Sequence, residues 1–187
     1  MNSSIHTTVQ ETPRTGVGEA AARVARIVAF AVFAAISAQF AVTLPYTPVP
    51  ITMQTLFVVL AGVVLGPRDG FYAMVTYLAA GAAGAPVFAG LSFGPAVLAG
   101  PTCGYLMAFP AAALLAGAIS SIRGARILAV AAGAASGSLL ILVMGTLYLS
   151  LMTGLSPAAT IPLAFTPFIA GDVVKTAVAM VIAGRAR

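Results

Sequence analysis

Residues 167–184 read Pro167-Phe-Ile-Ala-Gly-Asp172-Val-Val-Lys175-Thr-Ala-Val-Ala-Met-Val-Ile-Ala-Gly184, an apolar run that carries one acid and one base in its first half. These are the only charged residues between Arg126 and Arg185. Either charge near the centre of a helix in lipid costs roughly 2.5 to 3.5 kcal/mol, so the stretch fits a membrane helix only if both side chains face the interior of a bundle. That requirement fixes the fold class as helical and membrane-embedded. It also makes Asp172 and Lys175 the first candidates for a binding site.

Composition agrees. Of the 187 residues, 60% are hydrophobic and 7% charged, against about 25% charged in an average soluble domain. Further apolar runs separated by turns are each able to cross a hydrocarbon core of about 30 Å. The net charge of +5 comes from basic residues scattered in ones and twos near segment ends. No basic stripe with aromatics forms, which argues against nucleic acid. The single Cys103 has no partner for an internal disulfide, and His6 lies alone in a polar stretch, so neither thiol chemistry nor a metal site is expected.

Residues 1–20 are polar and mixed in charge and read as a disordered cytoplasmic tail, leaving residues 21–187 as one six-helix transmembrane domain. The first helix is expected over residues 21–44, with Arg23 and Arg26 at its start. Its apolar core exceeds the 7 to 15 residues of a signal peptide, so a membrane helix is the better reading. Pro45, Pro48 and Pro50 then enforce an extended loop. The second helix, residues 53–66, is short for a span, which implies tilt or shelter by its neighbours.

The third helix is expected over residues 71–85, followed by an uncharged loop over 86–104 that folds back over the bundle, because irregular backbone cannot face lipid. Residues 105–120, with Pro110 as a possible kink, and 127–152 form the fourth and fifth helices. A loop over 154–166 leads to the sixth. Arg14, Arg23, Arg26, Arg68, Arg123, Arg126, Arg185 and Arg187 all fall at one set of ends, while the loops near 45–52, 86–104 and 154–166 hold no Lys or Arg. The positive-inside rule then places both termini in the cytoplasm. Asp172 and Lys175 lie roughly 8 to 12 Å from the outer end of the sixth helix at 1.5 Å per residue.

A spacing of three sets Asp172 and Lys175 on one helix face, offering one acceptor and one donor to a small molecule with N–H groups and an acidic group. The plainer alternative is an internal ion pair that only orients the bundle. Gly171 to Thr176 lacks the glycine before lysine and the preceding strand of a phosphate loop, and no nucleophile or zinc motif appears, so an enzyme is not expected. Small residues at Ala25 and Ala29, Ala31 and Ala35, and Ala34 and Ala38 allow close helix approach, as do Gly133, Ser136 and Gly137.

Four stretches, Tyr46 to Thr55, Leu60 to Arg68, Gly84 to Gly90 with Gly100 to Tyr105, and Gly171 to Lys175, together resemble the BioY family, the biotin-specific substrate-binding component of energy-coupling-factor transporters. The resemblance covers nearly the whole chain after the tail. It implies a six-helix protein of the prokaryotic cytoplasmic membrane that captures biotin from outside, with no cofactor of its own. It further implies polar ligand contacts at Asp172, Lys175 and Ser92, with Tyr105 and Gln54 as secondary contacts; a cap on the second helix is the other role open to Gln54.

The resemblance also implies that Ala25, Ala29, Ala31, Ala34, Ala35 and Ala38 dock on a transmembrane coupling subunit, and that ATP is used only by separate ATPase subunits. A stand-alone secondary transporter is the alternative. This sequence departs from the family pattern at Cys103, at Leu91-Ser92-Phe93 and at Leu106, where some relatives carry a ligand-contacting arginine.

Overall fold

The computed structural model describes residues 16–122 and 126–185. Most of the expected tail, with His6 and Arg14, lies outside these residues, as do Arg123 and Arg187. Among the described residues the chain forms seven α-helices and one small hairpin: α1 (Gly16–Ala38), β1 (Ala41–Val42), β2 (Ile51–Thr52), α2 (Gln54–Leu65), α3 (Pro67–Ala82), α4 (Cys103–Ser120), α5 (Arg126–Thr153), α6 (Pro157–Ala164) and α7 (Thr166–Arg185). Two short 3-10 turns, Ala89–Leu91 and Val97–Ala99, interrupt the segment between α3 and α4.

Three helices, α1, α4 and the Ile127–Thr153 part of α5, are long and apolar enough to cross a membrane. The pair α6 and α7, bent by 48° at their junction, passes the same test as one broken span. The fold is thus a helical membrane bundle, as the composition implies.

Five boundaries differ from the sequence reading, one of them the start of α3, which lies at Pro67 and not at 71 because Pro67 fits the first helical turn after Gly66. Residues 16–20, assigned to the tail, are helical: alanines favour the helix, and Glu19 in the first turn complements its dipole. The same helix stops at Ala38 and not near residue 44, because Ala41 and Val42 pair antiparallel with Thr52 and Ile51. Helix α3 ends at Ala82 in a Schellman motif, where Gly84 at φ +105° lets Ala85 N–H donate to Ala80 C=O (3.0 Å) and Gly84 N–H to Gly81 C=O (3.2 Å). The expected loop over 154–166 contains α6, whose start combines Pro157 in the first turn with a Ser156 side chain that accepts from Ala159 N–H.

Helix α2 is the axis of the bundle. Val58, Val59 and Ala61 are wholly buried, so its 12 residues are sheltered by neighbours, as its shortness suggests. It packs on α4 at backbone distance: a Cβ on Gly62 would strike the Ala113 carbonyl, and one on Gly117 would sit 2.6 Å from Pro67 N. The small residues of α5 serve the same purpose, with Gly133 and Gly137 against Ala112, Ala116 and Ser120 of α4. Helix α4 runs unbroken through Pro110. Arg23 of α1 donates to both carboxylate oxygens of Asp69 at the start of α3 (2.6 to 3.0 Å), fastening the outermost helix to the bundle.

This packing makes Gly62→Val a sensitive change. It forces α2 and α4 apart and is expected to lower stability by about 1 to 3 kcal/mol, whereas Ala25→Val on an exposed face should have almost no effect. Thermal unfolding of the purified variants in detergent measures both; equal midpoints for the two would contradict the packing.

Candidate functional site

The bundle encloses a chamber of about 220 Å³. Val49 and Pro50 of the hairpin loop and Phe88, Ala89 and Ser92 of the α3–α4 segment cover it. Its apolar walls are Leu106 and Phe109 from α4, Ile141 and Leu142 from α5, and Phe168 from α7. Asp172, Lys175 and Thr55 form its single charged pole.

That pole is closed on itself except at one atom. Asp172 and Lys175 are each 5% exposed, and Lys175 Nζ donates to Asp172 Oδ1 at 3.0 Å. Thr55 joins them from α2: its hydroxyl donates to Asp172 Oδ1 at 3.1 Å and accepts from Lys175 Nζ at 2.8 Å. Oδ1 is thereby doubly satisfied, whereas Asp172 Oδ2 is buried and has no partner among the described residues. An ammonium has three donors, and two of those on Lys175 are used. The chamber therefore presents one unpaired carboxylate oxygen beside one remaining charged donor. A buried acceptor left in this state costs free energy that a ligand N–H would return.

Gln54 is not a cap. It is the first residue of α2 with its side chain 4% exposed, and the position before it, Met53, makes no capping bond. Its Nε2 donates to the Tyr77 hydroxyl at 2.6 Å, Tyr77 in turn donates to Val87 C=O at 3.2 Å, and Thr52 Oγ1 donates to Gln54 Oε1 at 3.1 Å. The residue lines the chamber, yet its amide is spent on linking the hairpin to the α3–α4 segment.

Tyr105 also lines the chamber, but its hydroxyl donates to Ala164 C=O at the end of α6 (2.5 Å). This capping bond satisfies a terminal carbonyl where the α6–α7 span breaks. What Tyr105 offers a ligand is its ring, packed 5.9 Å from Phe168 and seated over Gly145, where any Cβ would collide with it. Ser92 donates its hydroxyl to Ala89 C=O at 2.8 Å and reaches the chamber from the rim.

Thr55 was the residue the sequence did not single out. Its signal was a lone hydroxyl in the first turn of an otherwise apolar helix; only the fold brings it onto α7, 117 residues from Asp172 in sequence.

The six alanines of α1 do not act together. Ala31, Ala34 and Ala38 are buried within the chain, which corrects these three to internal packing, while Ala35 is half-buried at the edge of the same core. A helix has two faces, and the spacings 31/35 and 34/38 fall on the inner one. Ala25 and Ala29 lie on a shallow open apolar surface with Val17, Ala21, Val24 and Val28.

Comparison with known proteins gives consistent relations. The family model described as "BioY family" matches residues 6–187. The chain is 41% identical to the "Probable biotin transporter BioY" of Pyrococcus horikoshii over 166 residues, covering 88% of this chain and 96% of the relative. It is 40% identical to "Biotin transporter BioY2" of Lactococcus lactis subsp. cremoris (71% and 72% covered) and 37% identical to "Biotin transporter BioY" of Thermotoga maritima (77% and 84% covered). In fold it is similar to a solved structure described as the "S-component for biotin from an ECF-type ABC transporter", with a TM-score of 0.82 over 91% of this chain and 93% of that one, at 23% identity.

The closed pole makes a stability prediction. Removing one partner leaves a buried charge uncompensated, at a cost of about 3 to 5 kcal/mol, while removing both does not. Asp172→Ala and Lys175→Ala should each lower the unfolding midpoint of the ligand-free protein more than the double variant does. A double variant with the summed loss would show that the pair is not coupled.

Proposed function

The chain belongs to the BioY family, and from that premise we propose that it captures biotin from outside the cell as the substrate-binding component of an energy-coupling-factor transporter. The observation that carries this reading is the unpaired Asp172 Oδ2 beside the remaining Lys175 donor at one end of an apolar chamber. Biotin carries ureido N–H groups, an apolar body and a carboxylate. Asp172 accepts a ureido N–H, Lys175 supplies the charge-assisted donor, and the Tyr105 ring, Leu106, Phe109 and Phe168 contact the apolar body. Ser92 lies at the rim as a further polar contact, and Gln54 acts through Tyr77 and the α3–α4 segment. With Leu106 apolar, Lys175 is the single cation at the chamber.

The protein is a transport component and not an enzyme; biotin is its cargo. The reading has six spans, with α6 and α7 together forming the last, and both termini in the cytoplasm. It is supported by the placement of Arg23, Arg26 and Arg68 at the ends away from the hairpin and α3–α4 segments that cover the chamber. The chamber then opens toward the outside of a prokaryotic cytoplasmic membrane. Ala25 and Ala29, on the open face of α1, are the docking positions for a transmembrane coupling subunit, and ATP is hydrolysed by separate ATPase subunits.

Calorimetry of the purified protein tests the site. Biotin should bind, and analogues lacking the ureido or the carboxylate group should bind more weakly. Asp172→Ala and Lys175→Ala should each lose affinity by about 30-fold or more, the equivalent of roughly 2 kcal/mol upward for breaking a buried charge-assisted contact. Unchanged affinity in both variants would remove the assignment. Biotin uptake that persists in cells lacking the ATPase partners would instead favour a stand-alone secondary transporter.

A further inference from the structure

The segment over Phe88–Ser92 that closes the chamber has an unfavourable backbone. Gly90 and Leu91 are consecutive left-handed residues, at φ +67° and +57°, and Leu91 is the one non-glycine residue with positive φ among those described. For an L-residue with a branched side chain this conformation is strained and persists only when its surroundings hold it. Internal bonds supply part of the hold: Phe88 N–H donates to Ser92 C=O at 3.1 Å, and the Ser92 hydroxyl donates to Ala89 C=O.

The remaining hold comes from α1. Gln39, directly after the last residue of that helix, spans the turn with one side chain. Its Oε1 accepts from Leu91 N–H at 3.0 Å, and its Nε2 donates to Phe88 C=O at 3.1 Å and to Ala35 C=O of α1 at 3.0 Å. One amide thus satisfies both a donor and an acceptor of the strained turn and fixes them to a helix end. Across that turn, Phe88 is 1% exposed, and Phe88, Ala89 and Ser92 line the chamber. Gln39 itself is absent from the chamber lining.

We infer that Gln39 is a positioning residue for ligand binding: it clamps the strained Gly90–Leu91 turn, so that the chamber wall keeps its closed shape and is mechanically tied to α1. The inference rests on the biotin-binding reading above. Because the clamp acts through Leu91, its loss should be relieved by any change that removes the strain there, and glycine does so since it adopts positive φ freely.

The test combines biotin calorimetry with hydrogen exchange of the ligand-free protein. Gln39→Ala should raise the Kd for biotin about tenfold, as expected from losing two bonds, and the Leu91 amide should exchange at least about tenfold faster. Adding Leu91→Gly to Gln39→Ala should recover part of the lost affinity. Gln39→Glu keeps the acceptor for Leu91 N–H but turns a carboxylate oxygen toward the Phe88 and Ala35 carbonyls; it should weaken binding at least as much as Gln39→Ala, and serves if the alanine variant does not fold. Wild-type affinity in Gln39→Ala and Gln39→Glu, unchanged Leu91 exchange, or no recovery on adding Leu91→Gly each overturns the inference. Failure of the wild-type protein to bind biotin overturns instead the reading on which it rests.

Discussion

An acid and a base buried in an apolar bundle must answer each other's charge, and the rest of this structure is arranged around that requirement. Asp172 and Lys175 come from successive turns of α7, and Thr55 reaches them from α2, the central helix. The trio needs α2 deep in the bundle. Such depth requires the backbone contact of Gly62 with α4, and α4 is in turn packed on the glycines of α5. In a dry interior a half-satisfied polar group is costly, so the one oxygen left free is significant because every other polar atom of the trio is engaged.

The cover over this pole is held by polar side chains at its edges. Gln54 and Tyr77 connect the hairpin to Val87, and Gln39 connects α1 to Phe88 and Leu91. Neither glutamine is charged, and in each case one amide serves as donor and acceptor together. That choice suits segments that cover an apolar chamber, where unpaired polar groups and added charge are both costly.

Much of this was legible in the sequence. The two isolated charges pointed to the chamber they line because in a chain with 7% charged residues their placement has few physical explanations. The shelter of α2 is one of the two outcomes its shortness allowed, the other being tilt. What was not legible depended on which face a residue occupies after packing. The alanine pairs of α1 have identical spacing, yet Ala31, Ala34 and Ala38 point inward while Ala25 is exposed. Spacing reports a shared face and not which face it is. Helix α6 falls in the stretch read as a loop although Ser156-Pro157 is a recognisable start; it is only eight residues long and holds Pro162. Tyr105 was expected as a secondary ligand contact; it lines the chamber, but its hydroxyl goes to a carbonyl 59 positions away that is left at a helix end where the last span breaks.

The pairing of Asp172 with Lys175 also bears on electrostatics across the membrane. The two side chains carry opposite charges 3.0 Å apart, so the pair sums to zero and gives the chamber no net charge. Any net charge moved with the contents of the chamber is the cargo's own. For a cargo with one negative charge, a potential of 100 mV, negative inside, opposes inward passage by about 2.3 kcal/mol. The Asp172–Lys175 pair does not offset that work with a net counter-charge.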